Sequence, residues 1–275
     1  MRNLTEILPE QYRQAANQST GMSYEEYLQM MCDFQNQTVG HLTGHDCDKC
    51  KNKGLIFFVE NGDEKCRECE CMTIRRNLQR IKESGLAAVI EKYTFDTYQT
   101  PELWQQAIKQ SALEFLDVKG KWLYIGGQYG SGKTHICTAI VGELINRGLN
   151  ARYMMWLDDS KRLKACINDD EEYYRLIHPL KTTDVLYIDD FFKAQAGPDG
   201  KMLPPTPADV SLAFEIINYR YMQPDAITII SSQYDIDGLL DIDGALGSRI
   251  YERTKGFCKI IGPDEKKNYR MRDAV

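Results

Sequence analysis

The sequence predicts an α/β protein whose main domain is built on a parallel five-stranded sheet, with a small cysteine-rich domain before it. From residue 121 onward, apolar runs of strand length alternate with helix-length segments, which is typical of a parallel sheet covered on both faces. A glycine-rich loop joins the first run to the first helix, and five of the nine cysteines lie between Cys47 and Cys71. The predicted strands cover residues 121–125, 151–156, 184–188, 226–231 and 257–261, and the predicted helices lie near 133–147, 157–167, 207–222 and 243–254.

Length and composition limit the classes of protein that this chain can belong to. Its 275 residues, 43% of them hydrophobic, suit one large globular domain and a small one. The net charge of −6 argues against a chain-wide affinity for nucleic acid, so DNA contact needs a local basic patch. No apolar run has the length of a membrane span, and residues 1–9 contain no secretory signal. We expect a cytoplasmic protein with no membrane partner, whose cysteines are thiols or metal ligands.

The polar region over residues 1–45 contains one predicted helix. Ser23 is a suitable N-cap, and Glu26 three residues later completes a capping box. Apolar side chains recur at helical spacing at Tyr24, Tyr27, Leu28 and Met31. A helix this short is not stable alone. It therefore packs either on the rest of the chain or on a partner protein.

Two cysteine pairs predict a structural zinc site. Cys47-x₂-Cys50 is followed, after fifteen residues, by Cys66-x₂-Cys69, and four thiolates saturate a tetrahedral Zn²⁺ ion. Between the pairs, an apolar run that ends at Asn61-Gly62 predicts a β-hairpin, as in a zinc ribbon. The spacing leaves open whether Cys69 or Cys71 is the fourth ligand, and one ligand could also be replaced by His41 or His45.

The segment between the cysteines and the sheet suggests where the domains divide. Residues 73–92 form a predicted basic helix that Ser84-Gly85 ends, and its charged faces are either solvated or in contact with DNA or an acidic partner. The next helix begins at Pro101, with Thr100 as its N-cap. We predict a helical and zinc-binding module over residues 1–82, a linker over 83–100 and the main α/β domain over 101–275.

The glycine-rich loop, residues 127–134, matches G-x-x-x-x-G-K-[ST], the phosphate-binding loop of nucleoside triphosphatases. Its glycines let backbone N–H groups point at phosphate oxygens, and the helix that follows adds partial positive charge. Lys133 is expected to reach the β- and γ-phosphates of ATP, and the Thr134 hydroxyl to bind Mg²⁺. The predicted nucleotide-binding residues here are Gly127, Gln128, Tyr129, Gly130, Ser131, Gly132, Lys133, Thr134 and His135.

Two further strands end in polar residues that suit nucleotide hydrolysis. The apolar strand over 184–188 runs into Asp189 and Asp190, 56 and 57 residues after Lys133. Asp189 is predicted to hold Mg²⁺, directly or through water, and Asp190 to orient or deprotonate the attacking water. The next strand ends in Ser231-Ser232-Gln233, where a polar group can sense the γ-phosphate. Residues 194–206 between these strands are predicted to form a mobile loop.

Arg249 and Arg253 lie four residues apart on one predicted helix. They are either a pair of solvated side chains or candidates for an arginine finger that acts on a neighbouring subunit. A finger supplied in trans contributes a large part of the rate of hydrolysis. The second alternative therefore requires the protein to self-associate.

The order of these motifs resembles that of AAA+ ATPases of the DnaC/DnaI type. The motifs are Gly-Ser-Gly-Lys-Thr-His, Ile-Asp-Asp, Thr-Ile-Ile-Ser-Ser and Gly-Ser-Arg-Ile-x-x-Arg. Proteins of this type are replicative helicase loaders, and the IstB transposition helpers are related to them. The cysteine-rich part, followed by Arg75-Arg76, is similar to phage or prophage DnaC-like proteins and to the zinc-containing DnaI.

The resemblance implies roles for the residues and partners for the protein. Lys133 and Thr134 take the Walker A roles, and Asp189 and Asp190 take the Walker B roles. Ser232 or Gln233 falls at sensor 1, and Arg249 at the finger, with Arg253 as the alternative. The C-terminal Asn268-Tyr269-Arg270 resembles the terminal element of the family. The implied cofactors are ATP, Mg²⁺ and Zn²⁺. The implied partners are a hexameric replicative helicase, single-stranded DNA and further copies of this chain.

Two departures from the family pattern affect the expected chemistry. The second Walker B acid is commonly Glu, whereas Asp190 is one methylene shorter, so we expect slow intrinsic hydrolysis. Sensor 1 is often Asn, whereas this chain has Ser-Ser-Gln. The expected function is ATP-dependent loading of a replicative helicase onto single-stranded DNA. The alternatives are an IstB-like transposition helper and a zinc adaptor that binds ATP without turnover.

Overall fold

The structure, a computed structural model, describes residues 23–83, 87–193 and 203–269. The chain forms two compact units, residues 1–75 and 76–275. This division falls within a helix, Cys71–Glu83, rather than at the predicted boundary of residue 82. The predicted linker also contains a helix, Ala87–Lys92. The predicted helix end at Ser84-Gly85 lies outside the described residues, as do residues 1–22 and Arg270.

The first unit consists of a helix and a β-hairpin that leads into the next helix. Its elements are α1 Tyr24–Gln37, β1 Leu55–Glu60, β2 Asp63–Glu68 and the start of α2, Cys71–Glu83. The capping box is confirmed, because the Ser23 and Glu26 side chains each accept a hydrogen bond from the other residue's backbone N–H. Asn61 and Gly62 both have positive φ, so a two-residue turn sets the antiparallel register of β1 and β2.

Helix α1 packs on the hairpin of its own unit, which decides between the two alternatives for its packing. The Asn36 amide donates to the Phe57 carbonyl (2.8 Å) and accepts from the Phe57 N–H (2.9 Å). Leu28 and Cys32 are buried. These contacts satisfy backbone groups of β1 that would otherwise need water.

The second unit is an α/β domain, as predicted. Its helices are α3 Ala87–Lys92, α4 Leu103–Phe115, α5 Lys133–Asn146, α6 Trp156–Ala165, α7 Asp170–Thr182, α8 Pro207–Tyr221, α9 Ile236–Ile242 and α10 Gly244–Arg253. Its strands are β3 Leu123–Gly127, β4 Ala151–Met155, β5 Val185–Phe191, β6 Ile227–Ser232 and β7 Cys258–Ile261. The sheet is parallel throughout, in the order β4-β5-β6-β3-β7. The carboxyl ends of β3, β5 and β6 therefore lie side by side.

Two helices and one helix start differ from the predictions. The sequence pattern did not predict α7 or α9, and α7 contains Pro179, a residue type that is disfavoured inside helices. Helix α4 begins after Glu102, not Thr100, because Glu102 and Gln105 form the capping pair. Thr100 and Pro101 lie before the helix.

A buried arginine connects the sheet to the helices that cover it. Arg220 of α8 is fully buried, and burial lowers the pKa of its guanidinium to about 10. It donates to the Thr228 hydroxyl on β6 and to the backbone carbonyl of Ile227. Its other acceptors are the carbonyls of Leu180, Lys181, Thr183 and Asp184, where α7 ends and β5 begins. A single cation thus satisfies carbonyls that the end of α7 leaves unpaired.

We expect Arg220→Met to lower the free energy of unfolding by about 3 kcal/mol, because buried carbonyls lose their donors. Urea unfolding of the purified protein measures this loss. The control is Arg175→Met, which removes an exposed arginine paired with Glu172 and should not change the midpoint. An unchanged midpoint for Arg220→Met would contradict this role.

The described part of the chain contains no helix with both the length and the apolar character needed to cross a bilayer.

Candidate functional site

The glycine loop connects β3 to α5 with the geometry that phosphate binding requires. Gly127, Gly130 and Gly132 all have positive φ, where side chains are disfavoured. A Cβ atom on Gly127 would lie 2.2 Å from the Ile261 carbonyl oxygen on β7. The neighbouring strand thus leaves no room for any residue but glycine. Helix α5 begins at Lys133, so its N-terminus faces the loop.

Lys133 lies folded back into this loop. Its Nζ donates to the carbonyl oxygens of Gly127 and Gln128, both at 2.8 Å. Burial lowers the pKa of the Lys133 ammonium, while the nearby Asp190 and Asp189 raise it. The two carbonyls compensate for the burial of the charge, and phosphate oxygens can take their place when a nucleotide binds.

A cavity of about 300 Å³ opens above the loop. It is lined by the predicted residues Tyr129 through His135 and by Asp190 and Gln233. The carbonyls of Gly127 and Gln128 lie beneath it, bonded to Lys133. The structure therefore brings together the glycine loop, an acid of β5 and the end of β6. Its remaining lining residues are Tyr93, Thr97, Tyr98, Gln99, Lys193 and Tyr269.

Much of one wall comes from residues 93–99, which the sequence analysis assigned to a linker. The His135 ring stacks on Tyr93 with ring centroids 4.8 Å apart, and its Nε2 lies 3.0 Å from the Thr94 carbonyl. Tyr98 is buried beside Gly132. The aromatic residues at 93 and 98 were the available signal, but neither has strand or helix periodicity. This segment thus belongs to the nucleotide site rather than to a spacer.

Asp189 accepts hydrogen bonds from hydroxyl groups on three strands and from Thr134. Thr134 Oγ1 donates to Asp189 Oδ1 at 3.1 Å, which brings together the two predicted Mg²⁺ ligands. The Tyr187 hydroxyl donates to the same oxygen at 2.7 Å, and Tyr153 donates to Oδ2 at 2.6 Å. Ser231 completes the set. The carboxylate is therefore fixed in position, with Oδ1 facing Thr134 and Oδ2 facing Tyr153.

Two of these residues, Tyr153 and Tyr187, were not predicted to belong to this site, and Ser231 was predicted only as part of a polar strand end, not as a partner of Asp189. Tyr153 and Tyr187 are register partners on β4 and β5, and their rings meet edge to face with centroids 4.8 Å apart. Burial raises the pKa of both phenols, so both remain protonated donors at neutral pH. The available signal was a hydroxyl residue near the end of each neighbouring parallel strand.

Asp190 has an unusual backbone conformation at the end of β5. Its φ is +52°, and its N–H is directed at Ser231 Oγ and Asp189 Oδ1, each at 3.1 Å. Its side chain forms an ion pair with Lys193 at 2.6 Å. This turn carries Asp190 into the cavity while Asp189 remains beneath it.

The two polar residues at the end of β6, Ser232 and Gln233, lie in different surroundings. Ser232 is fully buried, donates to the Phe191 carbonyl at 2.8 Å and accepts from the Tyr234 N–H. Gln233 lines the cavity instead. The prediction of Ser232 as a nucleotide-binding residue is thus corrected: its hydroxyl is used inside the domain, and Gln233 is the sensor candidate.

Arg249 lies outside the lining of the cavity. Its guanidinium packs over the Phe214 ring, 5.0 Å from the centroid, and the Tyr221 ring, at 5.6 Å. Nη1 donates to the Ala245 carbonyl. Any role of Arg249 as a finger therefore concerns the site of another copy of the chain and stays a prediction.

Arg253, the alternative finger candidate, is held at the end of the sheet opposite the glycine loop, so any role of Arg253 on a nucleotide also concerns another copy of the chain and stays a prediction. It lies 5.3 Å from the Trp122 ring centroid, just before β3, whereas the glycine loop follows the other end of that strand. A strand of this length spans roughly 16 Å. The Arg253 Nη2 donates to the carbonyls of Gln223, Pro224 and Ala226. The guanidinium thus stabilises the connection between α8 and β6.

Four cysteines of the first unit form a cluster with the dimensions of a metal site. The Sγ atoms of Cys47 and Cys69 lie 3.8 Å apart, those of Cys50 and Cys71 lie 3.6 Å apart, and all four are within 4.8 Å of one another. Metal–sulfur bonds of about 2.3 Å place the sulfurs of a tetrahedral site about 3.8 Å apart. These four thiols therefore fit a Zn²⁺ ion.

Cys66 does not belong to the cluster, which corrects the predicted ligand set. It is exposed on β2, opposite Phe57 of β1. Cys71 takes its place, so both Cys69 and Cys71 are in the cluster. The hairpin register explains this, because the Cys69 N–H bonds to the Gly54 carbonyl and the Gly54 N–H bonds to the Cys50 sulfur. His41 and His45 also lie outside the cluster.

The loop before the cluster is held by Arg75 of α2. Its guanidinium donates to the carbonyls of Thr43 and His45 and to the Asn52 side chain. The Asn52 side chain in turn accepts the Cys47 N–H at 2.9 Å. The charge of this arginine thus orders the first cysteine loop, a structural role that the basic-helix pattern did not predict.

Comparison with known proteins identifies the family. Residues 65–274 match the model of the IstB-like ATP-binding proteins. The chain belongs to the IstB-like ATP-binding protein family. The sequence is also similar to the phage-like element PBSX protein XkdC of Bacillus subtilis, with 31% identity over 241 residues that cover 82% of this chain and 86% of the relative.

Solved structures resemble the IstB-like domain in fold. The replication initiator DnaA bound to AMPPCP and single-stranded DNA has a TM-score of 0.50 and 23% identity, covering 66% of this chain and 54% of that one. A DnaC helicase loader has a TM-score of 0.48 and 22% identity, covering 64% of this chain and 98% of that one. The expected AAA+ P-loop fold is confirmed. The membership and the assembled site make the protein an ATP-binding ATPase.

Proposed function

We propose that this IstB-like ATPase loads a hexameric replicative helicase onto single-stranded DNA. Its motif order resembles that of DnaC/DnaI-type loaders. The observation that carries the proposal is that one chain combines an ATP site in one compact unit with a four-cysteine cluster in another. An ATP-driven switch coupled to a partner-binding module needs these two parts.

The metal ions have separate roles in this proposal. Thr134 and Asp189, whose oxygens lie 3.1 Å apart, would hold Mg²⁺, and the ion would supply positive charge to the phosphates. Asp190 orients the water that attacks the γ-phosphate. The thiolates of Cys47, Cys50, Cys69 and Cys71 would hold Zn²⁺, which would supply folding energy to a unit too small for a large core. We place the protein in the cytoplasm, where thiols remain reduced.

Self-association is part of the proposed mechanism. Arg249 lies outside the lining of the cavity of its own chain, and its Nη1 donates to the Ala245 carbonyl in the preceding turn. We propose that Arg249 acts on the ATP of a neighbouring copy, as a finger in trans. Hydrolysis then depends on assembly.

A second candidate is an IstB-like helper ATPase for transposition, because the chain belongs to the IstB-like ATP-binding protein family. Such a helper binds duplex DNA and a transposase. The preference for single-stranded over duplex DNA therefore separates the two candidates.

We expect the protein to co-purify with the replicative helicase of its host and to increase the amount of helicase on single-stranded DNA when ATP is present. Lys133→Ala should retain helicase binding but lose loading, because the P-loop no longer holds the phosphates. Pull-down of tagged helicase on a closed single-stranded circle, with and without ATP, measures both steps.

Two controls make this experiment decisive. The first control is Lys121→Ala, which replaces a lysine that lies before β3 rather than in the glycine loop. This variant should load the helicase normally. A duplex circle replaces the single-stranded one in a parallel reaction. Unaffected helicase loading by Lys133→Ala would refute the loader proposal. So would binding of the unmodified protein to a transposase and duplex DNA without binding to the helicase and single-stranded DNA.

A further inference from the structure

Lys193 lines the nucleotide cavity, although neither the P-loop nor the Walker B pattern assigns it a role. Its ammonium lies 2.6 Å from Asp190 Oδ2, and both side chains are a little over one third exposed. The two residues also close a turn, since the Lys193 N–H donates to the Asp190 carbonyl at 2.8 Å. The acid that is expected to orient the attacking water is thus paired with a cation in the same cavity.

Both lysines of the cavity are bonded to protein acceptors that a nucleotide can replace. Lys133 is bonded to loop carbonyls, and Lys193 to the Asp190 carboxylate. The two are close enough that the charge of Lys193 contributes to lowering the pKa of Lys133, after the larger effect of burial. A triphosphate entering this cavity brings several negative charges, which compete with Asp190 for the Lys193 ammonium.

The turn that precedes Lys193 is held by packing, whereas the Lys193 side chain is accessible. Phe191 and Phe192 are buried, and each ring contacts Trp156 edge to face, with centroids 4.9 and 5.2 Å apart. The positive φ angles of Asp190 (+52°) and Phe192 (+60°) persist only where packing determines the turn. The turn therefore fixes the Lys193 Cα, while its four-carbon side chain can change partner.

We propose that Lys193 is a γ-phosphate-binding residue that exchanges Asp190 for the terminal phosphate when ATP enters, which frees Asp190 to orient the attacking water. ADP lacks this phosphate, so the ion pair between Lys193 and Asp190 persists in the ADP state. Lys193 thereby distinguishes ATP from ADP, and the second acid becomes available only with the substrate. This inference rests on the ATPase site and not on helicase loading.

The test is the nucleotide preference of Lys193→Met. We expect its affinity for a non-hydrolysable ATP analogue with Mg²⁺ to fall about tenfold, because one charge-assisted bond is lost in a partly exposed site. Its affinity for ADP should not change. Isothermal titration of the full chain measures both affinities. Lys181→Met is the matched control, since Lys181 forms an ion pair of the same length with Glu215 outside the cavity.

A double-mutant cycle with Asp190→Asn tests the exchange itself. Asp190→Asn releases Lys193 from its partner, so the ATP analogue should bind more tightly than to the unmodified protein. Adding Lys193→Met should abolish that gain. Equal weakening of ATP analogue and ADP by Lys193→Met, or an unchanged ratio of the two affinities, would overturn the proposal. Because no helicase or DNA is present, failure of the loader proposal cannot produce either result.

Discussion

Replacing Cys71 by serine is expected to remove the metal from the first unit, whereas Cys66→Ser leaves it bound. Cys71 lies in the four-sulfur cluster, 3.6 Å from Cys50, whereas Cys66 is exposed on β2. A serine hydroxyl is a poor replacement for a thiolate on Zn²⁺. Structural zinc contributes on the order of 10 kcal/mol to the folding of small modules. Loss of the metal should therefore unfold this unit.

Zinc content per chain and the rate of limited proteolysis within residues 23–75 measure this difference. We expect Cys66→Ser to match the unmodified protein in both, and Cys71→Ser to lose zinc and become rapidly cleaved. ATP binding should persist in both variants, because the nucleotide cavity is lined only by residues of the second unit. Loss of zinc from Cys66→Ser with retention in Cys71→Ser would restore the ligand set that the sequence spacing predicted.

The correct cysteines could have been chosen from the sequence once the hairpin was included. The Asn61-Gly62 turn fixes the register, in which Glu60 pairs with Asp63 and Phe57 with Cys66. Cys47 and Cys50 precede β1, so they can meet only residues that follow β2. The prediction followed the repeat of C-x₂-C spacing and did not use the register. Pairing geometry carries more information than motif spacing here.

The nucleotide site shows what sequence patterns can and cannot predict. The glycine loop and the two acids were predicted because each motif is contiguous and its chemistry requires particular residue types. Tyr153 and Ser231 escaped prediction because their role depends on strand order, which brings β4 and β6 to either side of β5. Helical spacing also does not show at which end of the sheet the Arg253 side chain lies, beside Trp122 and before β3.

Asp189→Asn and Asp190→Asn are expected to impair hydrolysis in two different ways. Asp189 faces Thr134 and is the proposed Mg²⁺ ligand, so its replacement should raise the Mg²⁺ concentration required and lower kcat by about 100-fold or more. The Asp190 carboxylate is instead paired with Lys193. Its replacement should leave the Mg²⁺ requirement unchanged and lower kcat by about 100-fold, the usual contribution of a group that activates water.

Steady-state phosphate release across a Mg²⁺ titration separates these effects, with Asp158→Asn as the control for the same chemical change. Asp158 is exposed near the start of α6 and lies outside the cavity, so kcat should not change. The two acids differ in their surroundings because hydroxyls of three strands hold Asp189, whereas the positive φ of Asp190 turns its carboxylate toward Lys193. An unchanged Mg²⁺ requirement for Asp189→Asn would place the metal elsewhere. Hydrolysis at the normal rate by Asp190→Asn would mean that water is activated without this acid, and the ion pair with Lys193 would then have no part in controlling turnover.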